Sequence, residues 1–96
     1  MVISTLNRGF QMTFENGLTI SVQFGSGNYC ERRSLYNINE SKEPTIHSKN
    51  AEIAIWNEAN EWFDFGGDTV KGYCSANEIA EWIYKASKAD NISSIK

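Results

Sequence analysis

Histidine and cysteine are the side chains best placed to do chemistry near neutral pH, and this chain has one histidine, His47, and two cysteines, Cys30 and Cys74. They form no pattern. The cysteines stand 44 positions apart, with no CxxC or HxxxH spacing anywhere. A structural zinc needs four close ligands, so neither a metal nor another cofactor is expected. A thiol–imidazole nucleophile pair has nothing to recommend it beyond the presence of its parts, and two lone cysteines read more simply as small buried filler. The carboxylate pairs Asp64 with Asp68 and Glu78 with Glu81 are unsurprising among 12 acidic residues. Neither a nucleophile elbow nor a phosphate-binding P-loop is present. The expected class is a non-enzyme.

Two constellations suit binding instead. In the first, Gly25-Ser26-Gly27-Asn28 follows a strand, and its amides are free to turn toward an anion. Arg32 and Arg33 follow within reach, and backbone donors with guanidinium forks are a common way to hold phosphate or carboxylate. Tyr29 is positioned to stack on a base. The spacing is not the dinucleotide fingerprint and no helix follows, so the plainer reading is a turn with solvated arginines, one paired with Glu31. In the second, Trp56 and Trp62 flank a turn rich in acids. A cross-strand tryptophan pair stabilises a hairpin by roughly 0.2–1 kcal/mol; exposed, it is an anchor for a protein partner or a second subunit.

The elements that must carry these residues are legible in the periodicity. Phe10, Met12 and Phe14 alternate with Gln11, Thr13 and Glu15; Leu18, Ile20, Val22 and Phe24 alternate with Thr19, Ser21 and Gln23. That is a half-buried antiparallel hairpin. A two-residue Asn-Gly turn would set core residues opposite polar ones. Pairing Phe14 with Leu18, Met12 with Ile20 and Phe10 with Val22 keeps one apolar face, so the loop is Glu15-Asn16-Gly17 with Gly17 left-handed. The same arithmetic pairs Ile55 with Phe63 and Ile53 with Phe65 around Glu58-Ala59-Asn60, with Asn60 left-handed. It sets Trp56 opposite Trp62 on the other face. Residues 2–6 suggest an extra edge strand, 25–49 a long loop with a short strand near 35–38, and 68–74 an extended link.

Ser75 and Glu78 form a capping box. Ile79, Trp82, Ile83 and Ala86 then recur at helical spacing to about Ala89, followed by a frayed polar tail. The expected fold is α+β: two antiparallel hairpins in one sheet, with a C-terminal helix on one face, as a single domain over residues 1–96. Its expected core is Phe10, Met12, Phe14, Leu18, Ile20, Val22, Ile53, Ile55, Phe63, Phe65, Ile79, Trp82 and Ile83. Nine basic and 12 acidic residues give a net charge of −3, with no basic footprint for non-specific nucleic-acid binding. The opening residues lack the pattern of a signal peptide, and no apolar run approaches the ~20 residues of a membrane span. A cytoplasmic protein with reduced thiols is expected.

The run Met12-Thr13-Phe14-Glu15-Asn16-Gly17, then Ser21-Val22-Gln23-Phe24-Gly25 and Asn28-Tyr29-Cys30 with Arg33, resembles a group of small proteins of tailed phages. Asn50-Ala51-Glu52-Ile53-Ala54 and Asp68-Thr69-Val70-Lys71-Gly72-Tyr73-Cys74-Ser75 resemble the same group. The resemblance implies a phage protein of the anti-defence class, acting in the cytoplasm of the infected bacterium. Some such proteins sequester a nucleotide immune signal. Here the ligand, a cyclic nucleotide or a related signal, would lie against Gln23, Gly25, Ser26, Gly27, Asn28, Tyr29, Arg32 and Arg33. A second subunit would complete the site. The alternative is an anti-CRISPR-like inhibitor that binds a bacterial defence protein through Trp56, Trp62 and acids such as Glu58 and Glu61. A third possibility is a small assembly factor of the virion.

Overall fold

Alternation at period 2 produces strands that bury one face, and the computed structural model shows where that face goes. It describes residues 1–4, 9–24 and 49–95. Among these, β1 (Val2–Ser4), β2 (Gly9–Thr13), β3 (Thr19–Gln23), β4 (Asn50–Trp56) and β5 (Lys71–Ser75) form one antiparallel sheet in the order β1-β2-β3-β4-β5. The helix α1 (Ala76–Lys88) packs on it through β5, β3 and β4. The α+β class and the N-terminal edge strand are as expected. The suggested strand near 35–38 lies outside the described residues.

The first hairpin has the anticipated register, with Phe10 opposite Val22 and Met12 opposite Ile20. The Phe14 amide donates to the Leu18 carbonyl at 2.9 Å and the Gly17 amide to the Phe14 carbonyl at 3.0 Å, closing the three-residue loop. Gly17 has φ = 87°, which a side chain would strain, and a Cβ there would run into the Glu58 carboxylate. At the other end of β2, Gly9 has φ = 149°, and a Cβ would collide with the Val22 carbonyl.

The second hairpin is half right. The Phe63 amide donates to the Ile55 carbonyl at 2.8 Å and the Asn57 amide to the Glu61 carbonyl at 3.0 Å. Trp56 faces Trp62, and Asn60 is left-handed at φ = 61°. The return arm then leaves the sheet. Ile53 pairs with Lys71, not Phe65, so the extended link is in part the strand β5. Two causes act together. Phe65 gains ring contacts at 4.9 Å with both Phe63 and Trp82, edge to face, which the ladder would not supply. Gly66 and Gly67, at φ = 116° and 109°, then turn the chain, held by two amides donating to the Asp64 carboxylate. Those two amides favour the ionised form and hold the Asp64 carboxyl below its usual range. Between the pairs Ala51–Cys74 and Ile53–Lys71, β4 advances two residues and β5 three. This bulge places Tyr73 at φ = 55° and turns Cys74 into the core.

Leu18, Ile20, Val22, Ala51, Ile53, Ile55, Cys74, Ala86 and Ile95 are the buried centre. The expected core residues Phe10, Met12, Phe14, Phe63, Phe65, Ile79, Trp82 and Ile83 are half-buried around it. The capping box at Ser75 is formed in both directions, at 3.0 and 3.2 Å. The Ser75 backbone and side-chain hydrogen bonds hold the Glu78 carboxyl below its usual range. The segment after α1 is not frayed. Asn91 caps a 3₁₀ turn over Ile92–Ser94, and this delivers Ile95, 6% exposed, to the core.

The far end of α1 is secured from the first hairpin. The Asn16 side-chain amide donates to the Ala86 carbonyl at 2.7 Å and the Ala89 carbonyl at 2.8 Å. Its Oδ1 accepts from the Leu18 amide at 3.0 Å. Replacing Asn16 with Ala should cost about 2 kcal/mol, because partly buried carbonyls lose their donor. Asn16→Asp should cost more, since it sets a carboxylate against the negative end of the helix. Urea midpoints of the two variants check both; an Asp variant as stable as the wild type would refute the assignment.

Candidate binding site

The two tryptophans sit where the sheet changes partner. Trp56 ends β4, and the turn 58–60 returns the chain so that Trp62 bridges to it. Asn57 builds that turn. Its Oδ1 accepts from the Ala59 amide at 3.0 Å and the Glu61 amide at 2.8 Å, while its Nδ2 donates to Glu61 Oε1 at 2.8 Å. Sequence reasoning passed over Asn57, although an Asn opening a short loop is a recognisable turn signal. The indole rings stack with centroids 4.8 Å apart and planes inclined by 26°. Trp56 is half-buried, whereas Trp62 keeps 47% of its surface exposed.

Both rings lie on the face turned away from α1. Across that face the register continues from Trp56 to Thr19 and Thr13, whose hydroxyls meet at 2.8 Å. The next cross-strand pair, Ser21 with Ala54, is buried, each at 7% exposure. On this face Ser21 and Ala54 are thus covered, while Trp62 at one corner and Ile3 at the β1 edge stay exposed. Residues 50–70 carry Glu52, Glu58, Glu61, Asp64 and Asp68, and neither lysine nor arginine.

The other expected site is not brought together by what the structure describes. Gln23 ends β3, half-buried, with its side-chain amide donating to the Phe10 carbonyl at 3.4 Å. Gly25, Ser26, Gly27, Asn28, Tyr29, Arg32 and Arg33 lie outside the described residues, as do Cys30 and His47. Among the described residues no group of three or more His, Cys, Asp or Glu side chains is placed to hold a metal ion, and no helix is long and apolar enough to cross a membrane. On the helix side, a cleft of about 290 Å³ separates the two turns from the segment after α1, between Asn16, Gly17, Asn57, Glu58, Asp90 and Asn91. The chain matches no family model, no curated protein and no solved structure.

Cys74 is fully buried, with Sγ 3.6 Å from the Lys71 carbonyl oxygen. Burial, and then the Glu78 charge, push its thiol above the ordinary 9.0. Unfolded, the thiol ionises near that value, so above it the unfolded chain binds fewer protons and stability falls as pH rises. Urea midpoints at pH 8 and 10 should show that fall, and Cys74→Ala should flatten it. An unchanged slope would discount the thiol.

The two kinds of tryptophan should separate cleanly by stability. Trp62→Ala removes a cross-strand contact at an exposed corner and should cost about 0.5 kcal/mol. Trp82→Ala dismantles the cluster with Phe63 and Phe65 and should cost about 3 kcal/mol. Thermal melts of both variants test this; a Trp62 variant as damaged as the Trp82 variant would make the pair structural.

Proposed function

We propose that this chain is a non-enzymatic, phage-encoded antagonist of bacterial immunity that binds a host defence protein at the Trp56–Trp62 corner. The observation that carries the binding reading is Trp62: a large ring, 47% exposed, held rigid by stacking and by a turn with its own hydrogen-bond network. Burying a pre-positioned indole releases apolar surface from water at little entropic cost, which is why tryptophan dominates interface hot spots. The phage and anti-defence parts rest on the sequence resemblance.

A second reading is a sponge for a nucleotide signal, supported by the sequence run Gly25-Ser26-Gly27-Asn28 with Tyr29, Arg32 and Arg33, and by Gln23 at the strand end leading into it. The two readings part in one experiment. Affinity-tagged wild type and Trp62→Ala are exposed to bacterial lysate and the eluates compared by native mass spectrometry. Binding through the corner requires a stoichiometric protein held by the wild type and lost with Trp62→Ala. A nucleotide retained equally by both, with no protein partner, would replace it with the sponge.

A further inference from the structure

We infer that the element docking on this corner is a basic segment of the partner, with an arginine side chain laid on the outer face of Trp62; this rests on the protein-binding reading above. One face of Trp62 is taken by Trp56 at 4.8 Å. Its 47% exposure therefore belongs to the opposite face and the rim. Among the described residues, lysine ammonium groups lie over other rings, Lys85 at 4.6 Å from the Trp82 centroid and Lys88 at 5.9 Å from Tyr84. Neither serves Trp62. Among the described residues no cation lies over the electron-rich indole face of Trp62, the best kind of side-chain surface for one.

Charge decides what it accepts. The turn that joins the two tryptophans carries Glu58 and Glu61, both exposed, and no basic residue. Glu61, next to Trp62, is exposed and uses one oxygen on Asn57; the other remains for an incoming donor. An anionic ligand would meet repulsion here, and a second copy of the chain would set two acidic corners face to face. A cationic segment is drawn to both ring and carboxylates. Arginine fits better than lysine: its planar guanidinium stacks flat on an indole while its edge still donates to a carboxylate, and it sheds its weaker hydration more readily.

Calorimetric titration of the full chain with three capped peptides tests this: one containing paired arginines between glycines, the same peptide with lysines, and the same with glutamates. The arginine peptide should bind at least about fivefold tighter than the lysine peptide, and the glutamate peptide not at all. Trp62→Ala should weaken the arginine peptide by about tenfold, the order of a desolvated cation–π contact. Glu61→Gln, which leaves the rings in place, should weaken it by about threefold. Equal arginine and lysine affinities, or arginine binding indifferent to Trp62→Ala, would overturn the inference, since charge alone would then account for it. Failure of all three peptides would overturn it as well. If Trp62-dependent capture of a protein still holds, the binding reading survives that failure; if capture is also lost, both fall together.

Discussion

One primary amide ties the end of the helix to the first hairpin. The final carbonyls of a helix have no partner within it, and here that of Ala86 in the last turn, together with that of the capping residue Ala89, accepts from the Asn16 side chain across 70 and 73 residues of chain. The oxygen of that amide simultaneously shapes the turn in which Asn16 sits, through the Leu18 amide. The first hairpin and the helix are thus fixed to each other by the group that also shapes the hairpin's own turn. Next to it, Gly17 lets the Glu58 side chain lie close, which brings the second turn to the same end of the sheet. The tryptophan corner stands at the end of this sequence of dependencies.

With one edge on β3, strand β4 divides its other edge between two neighbours. Its first half pairs with β5, which leads directly into α1; its end pairs with the arm carrying Trp62. The arm is held to the body by Phe63 and Phe65 against Trp82 on the helix face, and it presents Trp62 on the other. Successive residues of an extended chain point to opposite sides. The alternation of Trp62 with its two phenylalanine neighbours is therefore sufficient to anchor the arm with one face and display with the other.

Most of this scaffold was legible in the sequence. Face matching gave both three-residue loops, including left-handed Gly17 and Asn60, and it set Trp56 against Trp62 without any knowledge of the sheet. Ser75 and Glu78 marked the helix start. Strand β5 was not legible, because its bulge at Tyr73 breaks the alternation that identifies strands. Phe63 and Phe65 misled for a related reason: period 2 shows that two side chains share a face, but not whether backbone pairing or ring contact keeps them there. Asn16 reads locally as an ordinary turn residue, and its bond to the helix end depends on a juxtaposition no local pattern encodes. Ile95 was hidden by the polar residues around it. Of the candidate sites, the tryptophan pair followed from register, whereas the glycine–arginine run extends beyond the described residues.

The stacking of Trp56 on Trp62 also has an optical side. Two indoles 4.8 Å apart and inclined by 26° are close enough for their electronic transitions to mix, so that they absorb circularly polarised light as a pair and not as separate chromophores. The third tryptophan, Trp82, has its own surroundings, with phenylalanine edges and a lysine ammonium above it. The corner therefore contributes a spectral band of its own, set by the angle between two rings, and any contact that tilts one ring against the other is written into that band.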